Sequence, residues 1–441
     1  MSSMQASQKG LVQIKQAITQ KGWKVGDDRW LMEASEILEP SGKWQIGGPY
    51  AYGCSLQTWE RFLQGTPIRD RSFIAFCQVL DITPSIVTAA RTCLREDWGE
   101  APDIGIFYGR ERELETLNHW IFREECRLIE VNGFAGMGKT RLVKRLLDKA
   151  VLQPEQPPQS DFEFVIWRRM NARSPEDLLH ELLFFLCNQD VGLAVTVDAM
   201  IRELLRYLSC HRCLLVLDNV ESILCGGDQA GCYRSGYEPY TELFLRLGET
   251  AHQSCVLLLS RERVSDVEAL EFFHPVRSLR LEGLDSAIVQ DIFQVLEHEC
   301  DLAFYGSSQD WKSLVTIYGG NPLLLESAAK HILRQFDGSI PRFLEHGSVV
   351  FGRICRLLDW HFERLSRVQK KIIAQIVLTE VPVSLASLKC DVCYPRSQRQ
   401  APEILDNLER QMLLMREEQQ LTVLPILAEY VRSRLTFCLG C

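Results

Sequence analysis

Apolar positions in the first hundred residues recur at helical spacing. In LVQIKQAI, Leu11, Ile14 and Ile18 fall on one face. SLQTWERFLQG opens on Ser55, whose hydroxyl suits the free N–H groups of a first turn. It then places Leu56, Trp59 and Leu63 three and four apart and stops at Gly65. RSFIAFCQVL repeats the spacing through Phe73, Phe76, Cys77 and Leu80. Short helices about a tight turn predict a small all-α, helix-turn-helix-like domain over 1–95. Trp59 and Phe73 are expected in its core. WGEAPDIG, broken by Pro102 and Gly105, belongs to a linker over 96–106.

From 107 to 284 the pattern changes. The near-continuous apolar runs RLIEV, FEFVIWRRM, CLLVLD, SCVLLLS and VRSLRL alternate with helical spacing. Strands that are apolar on both faces belong to a parallel sheet covered by helices, which predicts an α/β domain. LQPEQPPQSD and CGGDQAGCYRSGYEPY interrupt it and are expected as exposed connections. Residues 285–355 read as helical. Over 356–436 helices precede LLMREEQQLTVL, a hairpin with Glu417 and Glu418 at its tip, and PILAEYVRSRL, a last helix. That succession predicts a winged helix. No tandem repeat of 20 to 50 residues is visible.

Three glycines crowd the junction between RLIEV and the helical RLVKRLLDKAV. GFAGMGKT matches the phosphate-loop pattern at Gly133, Gly138, Lys139 and Thr140, between an apolar strand and an amphipathic helix. A phosphate chain needs backbone N–H groups curled around it, and glycines permit that curl. The positive end of the following helix faces the same charge. Lys139 supplies a point charge to the β- and γ-phosphates, and the Thr140 hydroxyl suits Mg²⁺. Downstream, CLLVLDNVES ends an apolar strand in Asp218, at the sheet edge where ligands of such folds bind. There a carboxylate can hold Mg²⁺ through its water shell.

Net charge is −9, so bulk electrostatics give no reason for nucleic-acid binding. Residues 1–100 carry eleven Lys/Arg and eleven Asp/Glu, not the basic footprint of a DNA reader. No apolar run is long enough to span a bilayer and the N-terminus lacks a signal-peptide core, so a cytoplasmic protein is expected. Most of the sixteen cysteines are expected as reduced, buried residues. Cys210/Cys213, Cys390/Cys393 and Cys438/Cys441 form C-x-x-C pairs. The latter two could share a zinc, but no histidine or extra cysteine supports that geometry.

In this order the motifs resemble the NB-ARC branch of the STAND signalling ATPases over about 105–436. FYGRERELETL is similar to the entry motif, and the resemblance places Arg110 near the nucleotide. GFAGMGKT, with Gly133, Gly136, Gly138, Lys139, Thr140 and Arg141, is the implied phosphate site. LLLSRE is similar to the sensor strand, which turns Arg261 to the γ-phosphate. YGGNPLLL is similar to the motif whose proline, here Pro322, packs on the adenine. Bland alternatives stand beside these: a solvated helix charge at Arg110, a polar loop at Arg261, a helix-start proline at Pro322. The resemblance implies a P-loop domain of strand order 5-1-4-3-2 over 107–284. A helical domain over 285–355 and a winged helix over 356–436 complete it. It implies ATP/ADP and Mg²⁺ as cofactors, the metal held by Thr140 and Asp218, and Lys139, Asp218, Asn219 and Arg261 as the residues of a slow hydrolysis.

Two departures stand out. Many relatives carry a second acid where this chain has Asn219. The Met-His-Asp of many eukaryotic winged helices is matched by Val423 to Pro425. The N-terminal module resembles one found in bacterial relatives that usually end in WD repeats. The reading is a nucleotide-operated switch with adenine nucleotide and, through 1–95, protein as partners. Nucleotide-dependent homo-oligomers are possible partners too; DNA and membrane are not expected. The alternatives are a nucleotide-controlled transcription regulator and a high-turnover P-loop motor.

Overall fold

The computed structural model describes residues 3–87, 94–105, 107–151, 162–187, 196–300, 303–379, 383–384, 401–417 and 420–439. Cys390, Cys393, Glu418 and Cys441 lie outside them. The chain divides into two compact units, Met1–Arg95 and Glu96–Cys441.

The first unit packs helices Gln8–Lys21, Arg29–Leu38, Leu56–Leu63 and Asp70–Val79, with a short turn Pro84–Val87. Ser55 caps its helix by accepting from the Thr58 N–H at 3.2 Å. The face that enters the core is Trp59 and Phe62, while Leu56 is left outside. The expected stripe of Leu56, Trp59 and Leu63 is therefore rotated. The rotation lets the Trp59 Nε1–H reach the Val25 carbonyl at 2.9 Å, and Trp59 stacks on Trp30 at 5.2 Å while Phe62 meets Phe73 at 5.1 Å. Trp59 and Phe73 are buried.

The second unit is built on a six-stranded sheet. Its spatial order is Arg95–Asp97, Phe164–Arg169, Cys213–Asp218, Cys255–Ser260, Leu128–Asn132, Val276–Arg280. The last five run parallel. The three central strands are buried at every residue, as their unbroken apolar runs require. Arg95–Asp97, at the end of the helical unit and the start of the segment read as a linker, is a strand. Its residues are charged and only three long, so no apolar run announces it. Leu178, Leu182, Leu204, Leu208, Phe244 and Leu247, from helices on the sheet, fill the core with its strands.

Helices Ser286–Cys300, Ser308–Ile317, Pro322–Phe336 and Ile340–His346 follow. Then come Gly352–Glu363, Arg367–Leu378 and Ala401–Arg410, an antiparallel hairpin of Leu414–Glu417 with Gln420–Val423, and helix Pro425–Leu439. Val383–Ser384 adds a third strand to the hairpin. CGGDQAGCYRSGYEPY is exposed at Cys232, Arg234, Ser235 and Gly236, as expected, but less so at its first turn, where Gly227, Ala230 and Gly231 are buried. The C-terminal helices cover it, which no local pattern reveals. The other interrupting loop, residues 152–161, lies outside the described residues.

Candidate functional site

Strand Leu128–Asn132 stops at Gly133, and helix Lys139–Val151 begins six residues later. Gly136 holds φ +86°, which L side chains avoid. A Cβ there would also meet Leu323 Cβ at 2.7 Å and Asn321 Oδ1 at 2.8 Å. The loop is thus pressed against the start of helix Pro322–Phe336. Asn321 makes the join. Its Oδ1 accepts from the Leu323 and Leu324 N–H groups at 3.1 and 3.3 Å, and its Nδ2 donates to the Ala135 carbonyl at 2.8 Å. Asn before a proline at the first helical position is a capping signature that the sequence displays.

The loop opens on a cavity of about 460 Å³. Gly136, Gly138, Lys139, Thr140 and Arg141 line it from one side; Asp218, Asn219 and Arg261 from the strand ends; Arg110 and Pro322 from flanking segments. Gly133 is not on the wall, but its carbonyl accepts from Lys139 Nζ at 2.6 Å, and Phe134 O does so at 3.2 Å. Burial lowers the Lys139 ammonium to about 8, opposed by Glu221 and Asp218 and reinforced by Arg261. Thr140 Oγ1 donates to the Asp218 carboxylate at 3.2 Å. Burial raises Asp218, and the Thr140 bond counters it.

Arg110 is buried in a left-handed conformation. It pairs with Glu113 at 2.6 Å and donates to the Glu282 carbonyl at 2.6 Å. Asn219 is left-handed too (φ 68°), with Nδ2 donating to Asn171 Oδ1 at 3.3 Å. Arg261 Nε sits 2.7 Å from the buried Glu221 carboxylate, which also accepts the Arg261 N–H at 3.2 Å. Arg169, absent from the sequence-based set, lines the cavity with Nε 3.9 Å from Asp218. Its only signal was its place at a strand's C-terminal end.

Helix Gly352–Glu363 reaches the same site. Trp360 lies under the Arg261 guanidinium at 4.6 Å and the Arg364 guanidinium at 4.9 Å. His361 stacks on Phe134 of the phosphate loop, with centroids 4.2 Å apart and planes 14° apart. His361 is fully enclosed. Burial, then the charges of Arg261, Lys139 and Arg364, drive its pKa well below the ordinary 6.5. Arg364 pairs with buried Glu262 at 3.0 Å.

The donor set fits Mg²⁺. Two oxygen-bearing side chains, Thr140 and Asp218, meet at the phosphate loop, which suits an ion held jointly by protein and phosphate oxygens. Among the described residues no cluster of His, Cys, Asp and Glu forms a self-sufficient metal cage, and no helix is long and apolar enough to cross a membrane.

A buried strand, a glycine loop closed by a lysine, and a threonine at the start of the following helix bonded to Asp218 at the end of strand Cys213–Asp218 define a P-loop ATPase domain. The AAA domain family model matches residues 123–258. The chain is 38% identical to an uncharacterized WD repeat-containing protein of Nostoc sp. The match covers 98% of this chain and 36% of that protein, so the chain spans about a third of its relative's length. Among solved structures, a Walker-type ATPase of Pyrococcus abyssi matches with TM-score 0.50 at 17% identity, over 74% of this chain and 96% of the other. At that identity the likeness is one of fold. A STAND protein with a tetratricopeptide-repeat sensor from Pyrococcus horikoshii matches with TM-score 0.38 at 16% identity, over 77% and 44% of the two chains.

Proposed function

We propose that the chain is an ADP/ATP-operated switch of the NB-ARC type, in which residues 356–436 form a winged-helix lid. One observation carries this: adjacent lid residues, Trp360 and His361, contact the two elements that would distinguish ADP from ATP, sensor Arg261 and the phosphate loop at Phe134. A γ-phosphate competing for Arg261 loosens its stack on Trp360, so ATP favours lid opening and ADP lid closure. Thr140 and Asp218 would hold Mg²⁺, which supplies charge neutralisation of the phosphates. Pro322 and Arg110 frame the base end of the cavity. The N-terminal unit, whose eleven Lys/Arg against eight Asp/Glu leave only a small positive excess, is a protein-binding module.

Trp360→Ala removes the cation–π contact and is expected to speed release of a fluorescent ADP analogue about tenfold. An unchanged release rate in a folded variant sinks the lid. His361 supplies a pH signature. Its folded pKa is depressed, so the closed arrangement has its full stability above 6.5 and loses it as the pH falls below that value. Release is expected to accelerate from pH 7.5 to 5.5, and His361→Phe, which keeps the stack on Phe134, should flatten that profile. The measurement is stopped-flow release across the pH range in both proteins.

A further inference from the structure

The loop of residues 225–232, CGGDQAGC, belongs neither to the nucleotide cavity nor to the sheet. Its stem is a two-stranded ladder. Leu224 pairs with Tyr233, the Arg234 N–H donates to Ile223 O at 3.0 Å, and the Cys225 N–H donates to Cys232 O at 2.8 Å. Cys225 and Cys232 therefore stand opposite each other where the ladder ends, joined by one main-chain bond while the Cys232 N–H turns to Gln229 O at 3.1 Å. Opposite residues of an antiparallel pair have Cα atoms about 4.5 to 5.5 Å apart. That separation is within the range a disulfide spans, about 4.4 to 6.8 Å. Cys225 Sγ already lies 3.3 Å from the carbonyl of Tyr233, the residue after Cys232.

Access separates this pair from the core thiols, though Cys210 is exposed and Cys187 and Cys355 are half-buried as well, so it is the pairing across the stem that singles it out. Cys54, Cys77, Cys126, Cys213 and Cys255 are buried, whereas Cys232 is exposed and Cys225 half-buried. The tip of the loop, meanwhile, is gripped by the lid. Gly227 O accepts from Gln369 and Gln411 Nε2 at 3.1 and 3.3 Å, and Asp228 O from Asn407 Nδ2 at 2.8 Å. Arg364, which holds Glu262 and flanks Trp360, donates to the Leu224 and Cys225 carbonyls at 3.3 and 3.2 Å. A Cβ on Gly226 would meet Arg364 O at 2.7 Å, so loop and lid are in backbone contact.

We propose that Cys225 and Cys232 form a thiol–disulfide modification site that tightens the lid when oxidised by a small-molecule disulfide. The exposed Cys232 thiolate attacks one sulfur of the oxidant and expels a thiolate. The Cys225 thiolate then attacks the Cys232 sulfur of the mixed disulfide and expels the second. One S–S bond breaks and one forms. The protein gives up two electrons and two protons, and the oxidant leaves as two thiols. Bridging the stem restricts the loop when it is undocked and leaves its tip carbonyls in place, which favours the docked lid. The effect on nucleotide rests on the lid reading above.

The test treats the full chain with oxidised glutathione, maps cysteine-linked peptides by mass spectrometry, and measures release of a fluorescent ADP analogue before and after dithiothreitol. The expected result is a 225–232 linkage and release slowed about threefold or more, reversed by the reductant and absent in Cys225→Ser and Cys232→Ser. Persistent glutathione on Cys232 without the internal bridge overturns the site. A bridge that leaves release unchanged overturns its coupling to the lid. Trp360→Ala, run alongside, separates the failures: if it speeds release while the bridge has no effect, the lid stands and the redox site falls.

Discussion

Lys139→Ala is expected to purify without nucleotide and to melt at the temperature of the ligand-free parent. The Lys139 ammonium lies inside the phosphate loop, bound to two of its carbonyls and enclosed beside Glu221, Asp218 and Arg261. Alanine removes the lysine charge proposed to face the β- and γ-phosphates and leaves those two carbonyls without their donor. A bound nucleotide stabilises by mass action, about 2.7 kcal/mol at a hundredfold excess over Kd. The difference in melting temperature between parent and variant should therefore appear with added nucleotide and vanish without it. Chromatography of nucleotide released from purified protein gives the second readout. A stoichiometric nucleotide in the alanine variant would show that the loop is not the phosphate site.

Asn219→Asp is expected to raise single-turnover hydrolysis of bound ATP about tenfold or more, the low part of the range for general-base help. Asn219 is on the cavity wall next to Asp218, and its amide is tied to Asn171. An amide orients water but takes no proton; a carboxylate there can do both. The competing group is Glu221. Its carboxylate is buried and engaged with Arg261 through both the guanidinium and the main-chain N–H, so it is placed to position Arg261 rather than water. If Asn219→Asp changes nothing while Glu221→Gln abolishes turnover, the water belongs to Glu221.

The phosphate loop and the central strands were legible because both signals are local: glycines at fixed spacing, and apolar runs that only a covered sheet demands. The same locality hid the rest. Arg95–Asp97 is a strand by virtue of its neighbour. The Asp97 carboxylate meets Arg168 at 2.5 Å, and Glu100 pairs with Arg173 at 2.7 Å. None of this leaves an apolar trace. Trp360 and His361 sit more than two hundred residues from Phe134 in sequence, and nothing in RLLDWHFE marks its contact with the phosphate loop. At Leu56 the periodicity was right and the facing was wrong, because Trp59 took its orientation from a carbonyl thirty-four residues away.

The ends of the large sheet bear on how copies of this molecule can meet. One margin is the three-residue Arg95–Asp97, all charged; the other is Val276–Arg280, with Arg277 and Arg280 along it and Arg277 drawn to Glu124 at 3.0 Å. Short, charged margins do not template a strand from a neighbouring chain. An assembly built on this sheet would therefore form through side-chain surfaces on its helices and loops. Such contacts can come apart when the nucleotide changes, whereas a sheet continued from one molecule into the next, locked by a row of main-chain hydrogen bonds, would not be readily undone.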